Sequence, residues 1–123
     1  MKGVLIVGHG SRRIETEETL KSVMNMAQIK IPDIPMKIAF MEFGQPDIPT
    51  GLDALIDIGA DEIAVVPYFL FDGMHIREDI PQIIDDYKSS HSNIQITLGK
   101  PLGADRRIAD VLAERISGAL KCL

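Results

Sequence analysis

"EIAVVPYFLFDGMHIREDIPQIIDDY", residues 62–87, changes its period half-way along. Residues 62–70 form a nearly unbroken apolar run rich in β-branched and aromatic side chains, the signature of a strand covered on both faces. Beyond it, Ile76, Ile80, Ile83, Ile84 and Tyr87 recur three and four residues apart, which places them on one face of a helix. The same alternation extends in both directions. "GVLIVG" (3–8), "MKIAFM" (36–41) and "NIQITLG" (93–99) join "EIAVVPYFL" (62–70) as strands. Helical stripes lie between and after them: Leu20, Val23, Met24 and Ala27; Ile48, Leu52, Leu55 and Ile56; and Ile108, Val111, Leu112, Ile116 and Ala119 behind Asp105 as N-cap. Strand then helix, four times over, predicts right-handed crossovers and an α/β three-layer sandwich. Its four-stranded, mostly parallel sheet has helices on both faces, each stripe burying one side.

At 123 residues the chain makes a single domain, 1–123, able to bury about two thirds of its unfolded surface without a staple. Cys122 is the sole cysteine, so no disulfide framework forms within the chain, and a reducing, cytoplasmic setting is expected. The apolar stretch 3–8 is too short for a signal-peptide core. No segment approaches the ~20 apolar residues of a membrane span, so no membrane partner is expected. A formal charge of -5 and a pI near 5.1 argue against sequence-independent nucleic-acid binding, which depends on a basic surface. "DIP" occurs at 33, 47 and 79, where Asp and Pro suit turns and helix starts.

Parallel pairing places the C-terminal ends of all strands along one edge, and ligands of open α/β sheets bind in the crevice outside it. The first strand leaves into "GHGSRR" (8–13). There two glycines permit a sharp turn and close approach, His9 stands at the tip, and Ser11 is placed to cap the following helix. The third strand leaves through "PYFLFDGMH", which brings His75 to the same edge, and "MEFGQP" after the second adds Glu42 and Gln45. Glu42 reads equally as a surface carboxylate. His91, in "KSSHSN", belongs to the opposite edge and reads as solvated. Two imidazoles and a carboxylate suit a divalent transition metal. Fewer than four protein ligands leave positions for water or substrate, unlike a closed structural zinc site.

"LIVGHGSR", "FMEFGQPDIP" and "VVPYFLFDGMHIREDIP" together resemble the class II tetrapyrrole chelatases, specifically the small-form sirohydrochlorin cobaltochelatases, and the resemblance covers essentially the whole chain. It implies a chelatase-like fold and ATP-independent insertion of Co2+ into sirohydrochlorin on the anaerobic route to cobalamin, with no permanently bound cofactor and Co2+ as substrate. It also implies that His9 is the proton acceptor and a metal ligand, that His75 is the second metal ligand, and that Leu70, Phe71, Asp72, Gly73 and Met74, with the Glu42–Gln45 stretch, contact the macrocycle. Family members often carry glutamate where Gln45 stands, so a carboxylate role falls to Glu42. Longer members look like two such lobes in one chain, which implies a homodimer here.

The chemistry is consistent with these residue types. Two pyrrole N–H protons leave before a metal enters the ring, and a neutral imidazole with an ordinary pKa of about 6.5 accepts protons near neutral pH. Phe43, Phe71 and Met74 offer apolar walls to a flat macrocycle, while Met41 reads as core. Ser11 and Arg12 share the His9 turn and count among the substrate contacts. Arg12, Arg13 and Arg77, with Lys100, Arg106 and Arg107 at the fourth strand's exit, either pair with substrate carboxylates or are solvated helix-start residues. Within the enzyme class, a nickelochelatase acting on sirohydrochlorin or its a,c-diamide for coenzyme F430, or a siroheme ferrochelatase, is the alternative, because imidazole does not discriminate among these metals. A non-catalytic metal or tetrapyrrole carrier is the alternative of another class. Phosphotransfer through His9 is the poorest reading, since His75 then has no part.

Overall fold

The computed structural model describes residues 1–123 except for the side chains of His75 and Ile76. Strands β1 (Lys2–Gly8), β2 (Met36–Phe40), β3 (Glu62–Pro67) and β4 (Gln95–Leu98) alternate with helices α1 (Ile14–Lys30), α2 (Ile48–Asp57), α3 (Ile80–Ser89) and α4 (Arg106–Leu120). A π turn, His75–Asp79, leads into α3. The sheet has the order β2-β1-β3-β4, and every pairing is parallel. The expected mostly parallel sheet is thus wholly parallel, and all four strand ends share one edge.

Alternation along β1 divides the core. Leu5 and Val7 are fully buried on the face covered by α2 and α3, together with Val65, Ile63 and Ile96 from β3 and β4. α2 contributes Ile48, Leu52 and Leu55, and α3 contributes Ile80, Ile84 and Tyr87. α2 lies close to the sheet because Gly51 has no side chain: a Cβ there would stand 2.7 Å from Leu5 Cδ1. Asp47 starts this helix by accepting a 3.0 Å hydrogen bond from the Thr50 backbone N–H, with Pro49 in the first turn. The capping bonds from Thr50 hold the Asp47 carboxyl below its usual pKa.

On the other face α1 buries Leu20 against Ile38 and Phe40, with Ile6 and Met24 packed alongside. Gln28 closes the end of α1, donating 2.7 Å hydrogen bonds to the Ile31 and Ile34 carbonyls and shaping the turn into β2. This helix covers only the β2 side. The α4 stripe, expected to bury the rest, does not: no residue of α4 is buried, and Val111, Leu112, Ile116 and Leu120 are all exposed. The reason is local. After β4 the chain is tied to the exit edge by Gly99 N–H to Val65 C=O at 2.8 Å and Leu102 N–H to Phe69 C=O at 3.0 Å, and α4 leaves from there without returning over the sheet.

Two strand ends also differ from expectation. β3 stops at Pro67 because its neighbours end: the Tyr68 N–H makes a last bond to Val7 C=O at 2.7 Å, and residues 68–70 have no ladder partner. β4 begins at Gln95, since Ile94 donates to His91 C=O in a turn.

Candidate active site

The turn after β1 places His9 on the exit edge by main-chain constraint. Gly10 has φ +99°, and a Cβ on it would fall 1.7 Å from the Glu42 carbonyl oxygen, so no other residue fits without moving the β2 exit. Hydrogen bonds from Met41 N–H to Gly8 C=O at 3.0 Å and from Glu42 N–H to His9 C=O at 2.9 Å join the two exits backbone to backbone. Their side chains then meet: His9 Nε2 stands 3.5 Å from Glu42 Oε2, each side chain about half exposed, at 53 % and 45 %. The contact is longer than an optimal hydrogen bond, which leaves the pair loosely coupled. The His9 ring also tilts at 55° to Phe69, centroids 6.2 Å apart. Of the two carboxylate-or-amide candidates on this exit, the structure brings Glu42 to His9.

Ser11 does not cap α1 in the expected manner. The N-cap is Arg13, and Ser11 Oγ accepts from the Arg13 N–H at 2.9 Å while sharing a 2.7 Å hydrogen bond with Thr16 Oγ1. The hydroxyl braces the turn ahead of the helix. A cavity of about 590 Å³ opens beside His9, lined by Gly10, Ser11, Arg13, Thr16, Phe40 and Tyr68 among others. Tyr68 was not singled out in the sequence; its only signal is its place directly after the last proline of β3.

Around this pair the edge is apolar and exposed. Phe71 is 81 % exposed, and Phe43, Leu70 and Met74 are exposed as well. Met41, by contrast, packs against the core as expected. Phe43 has φ 51°, a left-handed conformation unusual for a bulky residue, and the Arg12 guanidinium lies 4.8 Å from its ring centre. Gln45 precedes Pro46 on the same loop and lines a smaller hollow with Arg12, Phe43 and Gly44.

The rim cations are partly matched within the chain. Arg77 Nε is 3.5 Å from Asp72 Oδ2, and Arg13 Nε is 3.6 Å from Glu15 Oε2. Arg107 is held most firmly, bonding Asp105 through Nε at 2.8 Å and Nη2 at 2.7 Å, and Asp105 also accepts from the Arg107 N–H. These bonds push the Asp105 carboxyl far below the ordinary carboxylate range. Arg107 therefore braces the α4 cap. Backbone placement puts His75 at the start of the π turn on the same edge, but the expected role of its imidazole as second ligand lies outside the described residues. Among the described residues, no group of three His, Cys, Asp or Glu side chains comes together.

The CbiX family model matches residues 3–119. The chain belongs to the CbiX family. It is 33% identical over 133 residues to the sirohydrochlorin cobaltochelatase of Methanothermobacter thermautotrophicus, covering 96% of this chain and 92% of that one. It is 35% identical to the sirohydrochlorin ferrochelatase of Priestia megaterium, covering 95% of this CbiX chain but 44% of that protein. The crystal structure of the sirohydrochlorin chelatase SirB from Bacillus subtilis subspecies spizizenii, in complex with cobalt, superposes with a TM-score of 0.87 at 32% identity over 95% of this chain and 50% of that one. The chain thus spans about half the length of these longer CbiX-like relatives, and the four-stranded α/β architecture agrees with them.

Proposed function

We propose that this chain is a sirohydrochlorin cobaltochelatase, a lyase that forms nitrogen–metal bonds by inserting Co2+ into sirohydrochlorin without ATP. The observation that carries the reading is the His9–Glu42 pair, 3.5 Å apart on an edge rimmed by exposed Phe43, Leu70, Phe71 and Met74. Metal insertion exchanges one dication for two pyrrole protons. His9 accepts a proton as neutral imidazole, and the Glu42 carboxylate beside it favours the imidazolium that forms. Before that, the same His9 lone pair holds the incoming ion, with His75 as the second ligand, so that Co2+ arrives weakly held; as it passes to the pyrrole nitrogens the freed lone pair takes one proton and the other leaves to solvent. Ser11, Arg12 and Gln45, with the segment Leu70, Phe71, Asp72, Gly73 and Met74, bind the macrocycle. Arg12, stacked on Phe43, meets a peripheral carboxylate.

Iron is the second reading, favoured by the 35% identity to a ferrochelatase. No helix is long and apolar enough to cross a membrane, and we place the reaction in the cytoplasm. Two copies facing one another across the exit edge complete the cleft, since the chain matches half of SirB. The reading is tested by anaerobic absorbance spectroscopy of sirohydrochlorin with Co2+, Fe2+ or Ni2+, with the wild type, His9→Ala, His75→Ala or no protein. Catalysed insertion, lost in both variants and fastest with Co2+, is expected. A bound-pigment shift without acceleration by any metal would mean a carrier and would end the enzyme reading.

A further inference from the structure

The cavity beside His9 carries more hydrogen-bond donors than the chain itself satisfies. Ser11 Oγ and Thr16 Oγ1 share one bond at 2.7 Å, and Ser11 also accepts from the Arg13 N–H. Two hydroxyls bring two protons and their mutual bond uses one, so the second is left for another acceptor. The Tyr68 and Thr19 hydroxyls, on the same cavity of about 590 Å³, find no acceptor among the described residues. Arg13 lines the cavity too, its Nε 3.6 Å from Glu15, with both side chains exposed. An exposed pair at that distance contributes little, and the guanidinium keeps its two terminal amino groups for a partner. Four donor groups and one carboxylate around a hollow describe a place for an oxygen-rich anion.

We propose that this cavity is a carboxylate subsite, in which Arg13 and the hydroxyls of Tyr68, Thr19 and the Ser11–Thr16 pair take one carboxylate arm of the macrocycle. This assignment deepens the sirohydrochlorin reading and rests on it. A smaller hollow of about 190 Å³ adjoins the cavity, and the two share Ser11, Arg13, Thr16 and Phe40 as a common wall. Arg12 lines the smaller hollow with Phe43 and Gln45, whereas His9 and Tyr68 line the larger. Arms seated on either side of that wall set the in-plane rotation of a flat ring beside His9, which a single anchor cannot do. An apolar ligand in the larger hollow would leave its donors unpaired, at a cost in affinity. Glu15 is the opposing charge. An arriving carboxylate displaces it from Arg13, so Glu15 lowers the affinity that Arg13 raises, and Arg13 distinguishes a carboxylate arm from its amide.

Anaerobic titration of metal-free sirohydrochlorin with the full chain, followed by absorbance, reads the subsite without metal and without turnover. Arg13→Gln should raise Kd about tenfold or more, as loss of a charge-assisted pair does, and Tyr68→Phe about threefold. Glu15→Gln should lower Kd about twofold or more, because it removes the competing carboxylate. All three side chains are exposed, so each variant should keep the far-ultraviolet circular dichroism of the wild type. A Kd within twofold of wild type for both Arg13→Gln and Tyr68→Phe overturns the subsite. So does a weakening by Glu15→Gln as large as that by Arg13→Gln, which would mean that the turn itself had been disturbed. Tight binding that Arg13→Gln weakens, without insertion of any metal, would end the chelatase reading and leave the subsite standing; a wild type that binds no pigment would end both.

Discussion

His9 and His91 stand at opposite ends of one parallel sheet, and their surroundings differ in the way expected of the proposed reactive group and of a structural one. His91 is saturated by its own chain. Its ring stacks on Tyr87 with centroids 3.9 Å apart and planes 2° from parallel, and its Nδ1 meets the Tyr87 carbonyl at 2.9 Å. Tyr87 in turn donates its hydroxyl to Asp53 Oδ1 at 2.6 Å, so the group ties the end of α3 to α2. His9 is positioned by backbone bonds and a glycine turn, while its imidazole is more than half exposed and meets Glu42 at a longer distance. The contrast fits the proton-acceptor role proposed for His9 and a clamping role for His91.

The largest test of that contrast is kinetic. His9→Ala should lower catalysed cobalt insertion a hundredfold or more, as loss of a general base does, while His91→Ala stays within about twofold of wild type. Equal losses in the absorbance assay would break the comparison. Next comes pH. Burial first, then the bond to Asp53 and its charge, raise the Tyr87 phenol well above its ordinary value of 10. A raised acid gives up its proton sooner in the unfolded chain than in the folded one. Its contribution is therefore complete below pH 10 and declines above it, by up to about 1.4 kcal/mol for each pH unit. Thermal unfolding followed from pH 9 to pH 11.5 should show this limb steepest in wild type and flattened in Tyr87→Phe.

At neutral pH the same Tyr87→Phe change removes one hydrogen bond and should lower stability by about 1 kcal/mol, read as a shift in the urea midpoint at unchanged slope. Its insertion rate should not change. Smaller still is the stacking in the clamp: His91→Ala should cost about 0.5 to 1 kcal/mol by the same measurement. If His91→Ala changed insertion more than stability, the opposite edge would have to be counted as part of the site.

Much of this was legible in the residues because it depends on local pattern. The four strands, the α2 and α3 stripes and the shared exit of His9, Glu42 and the segment 70–74 all follow from alternation, helical spacing and parallel pairing. The reading of "DIP" as punctuation also holds, since Asp47 caps α2 and Asp79 precedes α3. What escaped depends on distant partners. β3 ends at Pro67 because β1 and β4 run out, which "EIAVVPYFL" does not encode. The α4 stripe was visible, but not that its own sheet would leave it bare. Pairing of Arg13 with Glu15, of Arg77 with Asp72 and of Arg107 with Asp105 matches half of the six rim cations read from the sequence. His91 read as solvated because stacking on Tyr87 requires both the helix end and the turn to be known.

Gly10 has a consequence for how such a protein changes over generations. Because the Glu42 carbonyl occupies the space a side chain at position 10 would need, the approach of the two turns that carry His9 and Glu42 is set by main-chain atoms. Phe43, Leu70, Phe71 and Met74 are exposed and take no part in that main-chain approach. Substitutions among them can change the apolar rim while the main-chain frame beneath His9 and Glu42 stays as it is.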